Sequence, residues 1–159
     1  MNMKNISILA VLAALTVSLV AFSHGDDKHE ASENPLFSGL NADAAQVVKQ
    51  FHTALRNSDT ELAKSVLSDD VLIYESGTAE RSAEEYAAGH MKADMQYLAT
   101  ISSEIIEHQV KVSGDLAIST ARFKNLRTVA GRNRESISME TIVVSKIDGK
   151  WFITHIHWS

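Results

Sequence analysis

The chain contains no cysteine, so no disulfide can staple it and its stability must come from a packed core. It also lacks a basic cluster. Fifteen Lys and Arg stand against 20 Asp and Glu, a formal charge of −5 at pH 7, and that balance argues against a nucleic acid partner. There is no serine in a G-x-S-x-G elbow, no phosphate-cradling glycine loop and no zincin H-E-x-x-H. Acyl and phosphoryl transfer are therefore disfavoured. Neither an internal repeat nor an inner linker interrupts the 159 residues, a length suited to one domain with its own core.

One apolar run stands out. "MNMKNISILAVLAALTVSLVAFS" places Lys4 before an apolar stretch from Ile6 to Phe22, with small residues at Ala21 and Ser23. That pattern predicts a signal peptide over residues 1–23, cleaved after Ser23, and a periplasmic or secreted protein with no membrane association after cleavage. An uncleaved anchor is the competing reading, since the run is close to the lower length limit for spanning. The charged, small-residue stretch "HGDDKHEASENP" that follows reads as a flexible tether, residues 24–40. A freed amine on His24, with Asp26, Asp27 and His29 nearby, would also have the chemistry to chelate copper.

From Asn41, read as an N-cap, apolar residues recur at Ala44, Val47, Val48, Phe51 and Leu55 on one helical face. A second helix fits Thr60 to Leu67 with Asp59 as its cap, and "VLIYES" reads as a short strand ended by Gly77. Ser82-Ala83-Glu84-Glu85 is a capping box and predicts a helix to about Leu98. The period then changes from helical to two. Four segments rich in β-branched residues, near 104–112, 116–126, 135–146 and 150–158, are separated by "SGD", "RTVAGRN" and "DG". Helices first and an antiparallel meander after define an α+β domain over residues 41–159.

The last hairpin can be given a register. A two-residue Asp148-Gly149 turn pairs Ile147 with Lys150 and, counted back without a bulge, puts Val144 opposite Ile153, Ile142 opposite His155 and Glu140 opposite His157. One face then carries Ile142, Val144, Trp151 and Ile153 and ends in Glu140, His155 and His157. The other carries Met139, Val143, Phe152, Ile156 and Trp158, an apolar surface that predicts a homodimer. A bulge would move this register by one residue.

Two groups of side chains are candidates for chemistry. Glu140, His155 and His157 would share a sheet face, where a carboxylate can fix an imidazole tautomer, raise its basicity or share a metal. On the capped helix, Tyr86, His90, Ala93 and Tyr97 fall in one arc with Asp94 at its margin, beside an apolar arc of Ala87, Met91, Met95 and Leu98. The i, i+4 spacing of His90 and Asp94 would let two metal ligands share a helix face. His108 reads as a core histidine, Arg122 as an outer-face charge, and Trp151 and Trp158 as packing residues on opposite faces.

Three stretches, "FHTALRNSDTELAKSVLSDDVLIYESG", "RSAEEYAAGHMKADMQYL" and "DGKWFITHIHWS", resemble the SnoaL-like, ketosteroid-isomerase-like branch of the nuclear transport factor 2-like superfamily, over roughly Asn41 to Ser159. The resemblance implies a cone-shaped barrel, N-terminal helices packed on a curved four-stranded meander plus a short strand, with a cavity inside, usually dimeric. Isomerase and cyclase members place an aspartate base in that cavity, and Glu75 is the carboxylate nominated for the role here. The superfamily also includes pure binding and dimerisation modules. The combined expectation is an exported domain that binds a small hydrophobic molecule, with Glu75, His90, Glu140, His155 and His157 in the pocket, and Tyr74 and Tyr97 as secondary lining. Acid–base catalysis of the isomerase, cyclase or dehydratase kind would use the same groups. No cofactor and no resident metal are implied. A non-catalytic dimerisation or docking module and a periplasmic metal-binding protein are the alternatives.

Overall fold

The computed structural model describes residues 34–159; the expected signal peptide and most of the expected tether, with His24 and His29, lie outside the described residues. The elements in order are β1 (Phe37–Ser38), α1 (Asp43–Arg56), α2 (Thr60–Ser65), β2 (Leu67–Glu75), β3 (Thr78–Glu80), α3 (Ala83–Ala88), α4 (Met91–Leu98), β4 (Ser102–Ser113), β5 (Leu116–Val129), β6 (Arg132–Ile147) and β7 (Lys150–Trp158). The strands form one open sheet in the order β1-β4-β5-β6-β7-β2-β3, so the domain is α+β as expected, with seven strands among the described residues rather than five. Among the described residues no helix is long and apolar enough to cross a membrane.

Local signals fixed several of these elements. Asp59 caps α2 by accepting from the Leu62 amide at 3.0 Å, and Ser82 caps α3 by accepting from the Glu85 amide at 3.0 Å. Glu85 reaches back to the amide of Arg81 at 2.7 Å, so the box closes one residue earlier than its usual form. Asp148 and Gly149 both have positive φ, 49° and 81°, which is the twist a two-residue hairpin turn requires. Ala130 and Gly131 repeat it, 49° and 73°, so the seven-residue separator "RTVAGRN" is mostly strand.

Other expectations are corrected. The N-cap of α1 is Ala42, without a side-chain hydrogen bond, not Asn41. The helix expected from Ser82 to Leu98 is two helices, because Gly89 leaves the helical region (φ −107°, ψ −105°) and closes α3. The sheet begins before Asn41. Phe37 and Ser38 pair in parallel with His108 and Gln109, and the His108 amide donates to the Leu36 carbonyl at 2.8 Å.

Two strand irregularities decide which side chains face inward. In β4 the register shifts between Ile105 and Glu107, leaving Ile106 as the extra residue. In the last hairpin, Val144 faces Ile153, but Val143 faces His155, so Thr154 is a bulge. Beyond it Ile142 pairs with Ile156, Thr141 with His157 and Glu140 with Trp158. The extra residue turns Ile156 and Trp158 to the helix side and His155 and His157 to the other, the reverse of the unbulged count.

The core follows from that register. Val48, Phe51 and Leu55 of α1 pack with Val71, Ile73, Ile142, Val144, Ile153 and Ile156 of the sheet and with Met91 and Met95 of α4, all buried. Each large apolar side chain so buried is worth roughly 1.5–3 kcal/mol, which is what a chain without disulfides has to rely on.

Gly39 locks the first strand down. Its φ is +69°, and a Cβ there would lie 2.0 Å from the Val110 carbonyl oxygen. Gly39→Ala should therefore cost roughly 2 kcal/mol or more in a urea unfolding curve, combining left-handed strain with the clash. An unchanged midpoint would mean that β1 contributes nothing to the stability of the domain.

Candidate functional site

The C-terminal half of α1 lies over the inner face of β4–β7, and between them is a cavity of about 440 Å³. Its apolar wall comes from Leu55, Leu98, Ile101, Ile105, Phe123 and Trp158, and its polar groups include His52, Glu75, Tyr97, Ser103, Asn125, Ser138 and Glu140. Arg56, Ser76 and Ser159 complete the lining.

The most constrained group in it is Glu140, only 4% exposed. Its Oε2 accepts from the Trp158 indole N–H at 2.8 Å and lies 2.8 Å from Nε2 of His52. An ionised carboxylate can only accept, so His52 must carry hydrogen on Nε2. Burial pushes the Glu140 carboxyl up, but the charge and hydrogen bond of His52, then the Trp158 N–H, outweigh it and the net direction is down. The other oxygen, Oε1, is buried with no hydrogen-bond partner among the described residues. Such a group is costly unless something donates to it.

Aromatic packing fixes these partners. Trp158 stacks on Phe51, ring centroids 6.3 Å apart and planes 9° from parallel, and His52 meets the edge of Phe123 at 5.9 Å. Neighbouring His108 shares its Nε2 with the Ser119 hydroxyl at 2.9 Å. Burial, then the charge of His52, lower its pKa against the pull of Glu140. Across β4, β5 and β6 runs a hydrogen-bonded ladder: the Ser103 hydroxyl donates to Asn125 Oδ1 at 2.6 Å, and Asn125 Nδ2 donates to the Ser138 hydroxyl at 2.9 Å.

A second polar group sits where α3 meets α4. Tyr86 is fully buried and donates its hydroxyl to Asp94 Oδ2 at 2.7 Å. His90 pairs through Nδ1 with Glu80, whose hydrogen bond raises the histidine pKa. Burial, then the charge of Asp94, raises the pKa of Glu75, and burial likewise raises Asp94 against the Tyr86 hydrogen bond. Among the described residues no three His, Asp or Glu side chains converge to hold a metal ion.

The structure brings together Glu75, Tyr97 and Glu140 of the residues nominated from sequence. It does not bring the rest to them. His155 and His157 are on the opposite sheet face because of the Thr154 bulge, where His155 Nδ1 donates to the Leu72 carbonyl at 2.7 Å. Both rings stand edge-on to Tyr74 there, at 5.4 and 6.5 Å, and the Tyr74 ring is itself exposed. His90 is exposed and engaged by Glu80 rather than lining the cavity. Sequence reasoning missed His52, Trp158 as a donor, and the ladder. His52 had a readable signal, since it lies four residues after Val48 and three before Leu55 on the buried face of α1.

With this geometry in hand, a family model described as a SnoaL-like domain matches residues 44–159. A crystal structure of a candidate ketosteroid isomerase from Shewanella frigidimarina NCIMB 400 is 44% identical, covers 77% of this chain and 99% of its own, and superposes with a TM-score of 0.73. At 14% identity, an NTF2-like protein with a cystatin-like fold from Novosphingobium aromaticivorans gives a TM-score of 0.61 over 73% of this chain and 78% of its own. The association domain of C. elegans CaMKII, at 19% identity, gives 0.58 over 74% and 92%. These last two share the fold alone, the NTF2-like cone with an open sheet. Comparison with curated proteins gives no match.

The ionisation of Glu140 makes a checkable statement about stability. Its folded pKa lies below the ordinary value of 4.5, so the stabilisation is complete above that value and is lost as pH falls through the folded pKa. Between about pH 5 and pH 3, wild-type protein should therefore lose more unfolding free energy than Glu140→Gln. Parallel pH profiles for the two would show that the carboxylate is not held ionised.

Proposed function

We propose that this chain, which belongs to the SnoaL-like domain family, binds a small hydrophobic molecule in the cavity over Glu140. The observation that carries the reading is the cavity itself, about 440 Å³ with mostly apolar walls and a few polar groups, Glu140 among them. A site of that kind suits a small, largely apolar molecule with a few polar groups. The finer reading is acid–base chemistry of the isomerase, cyclase or dehydratase kind on the same groups. The 44% identity to a candidate ketosteroid isomerase supports it. In a proton shift, the Glu140 carboxylate would take the proton and return it, with His52 and Trp158 as its hydrogen-bond partners. A carboxylate held below its usual range is a mild base, which puts holding a donor ahead of abstracting a weakly acidic proton. Export to the periplasm or beyond remains part of the reading and is carried by the leader pattern of residues 1–23 alone.

Trp158 reports on the site directly, and Trp151 is an internal control at the far end of β7. Titration with 5,6,7,8-tetrahydro-2-naphthol should move the Trp158 indole N–H resonance in a ¹H–¹⁵N spectrum and leave that of Trp151 in place. An unmoved Trp158 resonance at the solubility limit of the probe would count against the cavity as a binding site.

A homodimer through the outer sheet face is a second reading, favoured by its exposed apolar side chains. Ile118 is 44% and Met139 is 53% exposed, on the same face as Val143 and Phe152. Ile156 and Trp158, expected on that face from the unbulged register, are inside. In sedimentation, wild-type protein should run as a dimer and an Ile118→Lys, Met139→Lys double variant as a monomer, since an unpaired charge buried at an interface is costly. Wild-type protein that stays monomeric at high concentration would rule this out and leave the cavity reading intact.

A further inference from the structure

His52 and Glu140 both border the cavity, but they are not equally open to it. The side chain of Glu140 is 3% exposed and that of His52 is 21% exposed. Glu140 Oε2 is taken by two donors, and Oε1 is buried. The pair therefore meets an occupant through the imidazole. His52 Nε2 is committed to Glu140 at 2.8 Å. Its Nδ1 has no hydrogen-bond partner among the described residues, yet it is not one of their buried unpartnered atoms, so it keeps accessible surface. That surface belongs to a residue of the cavity wall.

The chemistry of Nδ1 is set from behind. An ionised carboxylate can only accept, so Glu140 keeps the hydrogen on Nε2 and leaves a neutral ring with a bare lone pair on Nδ1. Packing holds the ring as well, with Phe123 edge-on at 5.9 Å and Phe51 at 6.3 Å. The result is a preorganised acceptor among apolar walls. His108, the buried histidine nearby, does not compete, since its Nε2 is shared with Ser119. Ser103, Asn125 and Ser138 are bonded to one another. A carboxylate ligand would bring a second anion towards Glu140, and a hydrocarbon would leave Nδ1 stripped of water and unpaired. We infer that His52 is the residue that contacts the ligand, its Nδ1 accepting from an acidic hydroxyl, phenolic or enolic, on an otherwise apolar molecule. Glu140 is then a positioning residue that fixes the tautomer, and Trp158 holds Glu140. This rests on the cavity reading above, is independent of the proton shift, and goes beyond both in naming the contact atom and the chemical class.

The ring nitrogens of His52 report the arrangement without any variant. At about pH 8, above the ordinary histidine range, a long-range ¹H–¹⁵N spectrum of the full chain should show Nε2 protonated and Nδ1 bare. Addition of 5,6,7,8-tetrahydro-2-naphthol should move Nδ1 upfield and leave Nε2 in place. In calorimetric titration the naphthol should bind about tenfold more tightly than its methyl ether, the scale of one hydrogen bond left unmade in a buried site. His52→Phe should bring the two within about twofold of each other. Glu140→Gln should blur the distinction between the two ring nitrogens and reduce the advantage of the naphthol. A free protein with hydrogen on Nδ1, or equal affinities for the naphthol and its ether, would overturn this inference while the cavity reading stood. So would loss of the advantage in Glu75→Gln but not in His52→Phe, which would move the contact to the carboxylate of Glu75. Tightest binding of 5,6,7,8-tetrahydro-2-naphthoate would overturn the hydroxyl assignment. No binding of any probe would overturn both this inference and the reading it rests on.

Discussion

A carboxylate withdrawn from water carries a penalty of several kcal/mol unless the protein supplies partners of matching strength. Glu140 meets that condition at one oxygen only, with His52 and Trp158 both on Oε2. Hydrogen bonds to a charged group contribute roughly 1.5–3 kcal/mol each, enough to keep the group ionised against its burial. Much of the inner architecture serves this arrangement. Phe51 packs beside the indole, Phe123 packs against the imidazole, and α1 is positioned to deliver His52 from above the sheet. The charge is supported at Oε2, while Oε1 is buried with no hydrogen-bond partner among the described residues.

Strands and helices contribute differently to the walls of the site. The deep wall is sheet, rigid and hydrogen-bonded strand to strand, and it holds the groups whose geometry matters: Glu140, Asn125, Ser138 and Ser103. The opposite wall comes from α4 and the turn after it, through Tyr97, Leu98 and Ile101. That helix is separate from α3 because of Gly89, and it is tied back by Tyr86 to Asp94. Arg127 of the long β5–β6 hairpin lies 5.7 Å from the centre of the Tyr97 ring, a cation–π contact that joins the hairpin to the helical wall. The strands carry fixed dipoles together with the apolar Ile105, Phe123 and Trp158, and the helix adds adaptable apolar contacts.

What was legible in the sequence was local. Asp59, Ser82 and Asp148-Gly149 each act within four residues, through a hydrogen bond or a backbone preference that composition reveals directly. The α+β order of elements was legible for the same reason, since periods of 3.6 and 2 are written along the chain. What escaped is set by residues distant in sequence. The strand at Phe37–Ser38 exists because β4 offers it an edge, and two residues cannot show a period. Glu140 was recognisable as a pocket candidate and His52 only as a position on the inward face of its helix, because nothing in a single sequence says that position 52 on a helix meets position 140 on a strand. His155 and His157 are placed by a bulge whose only local trace is Thr154, between Ile153 and His155.

That bulge has a consequence for how roles are carried between relatives. A β-strand is read in a two-residue frame, and Thr154 is a one-residue insertion in that frame. A relative with an unbulged final strand could keep the same letters at aligned columns and still present its histidines to the cavity and its tryptophan to the outside. Aligned identity in the last strand is therefore not equivalence of position. Whether a bulge lies between the Asp148-Gly149 turn and the tryptophan is what decides whether an indole can serve as a donor to the buried acid.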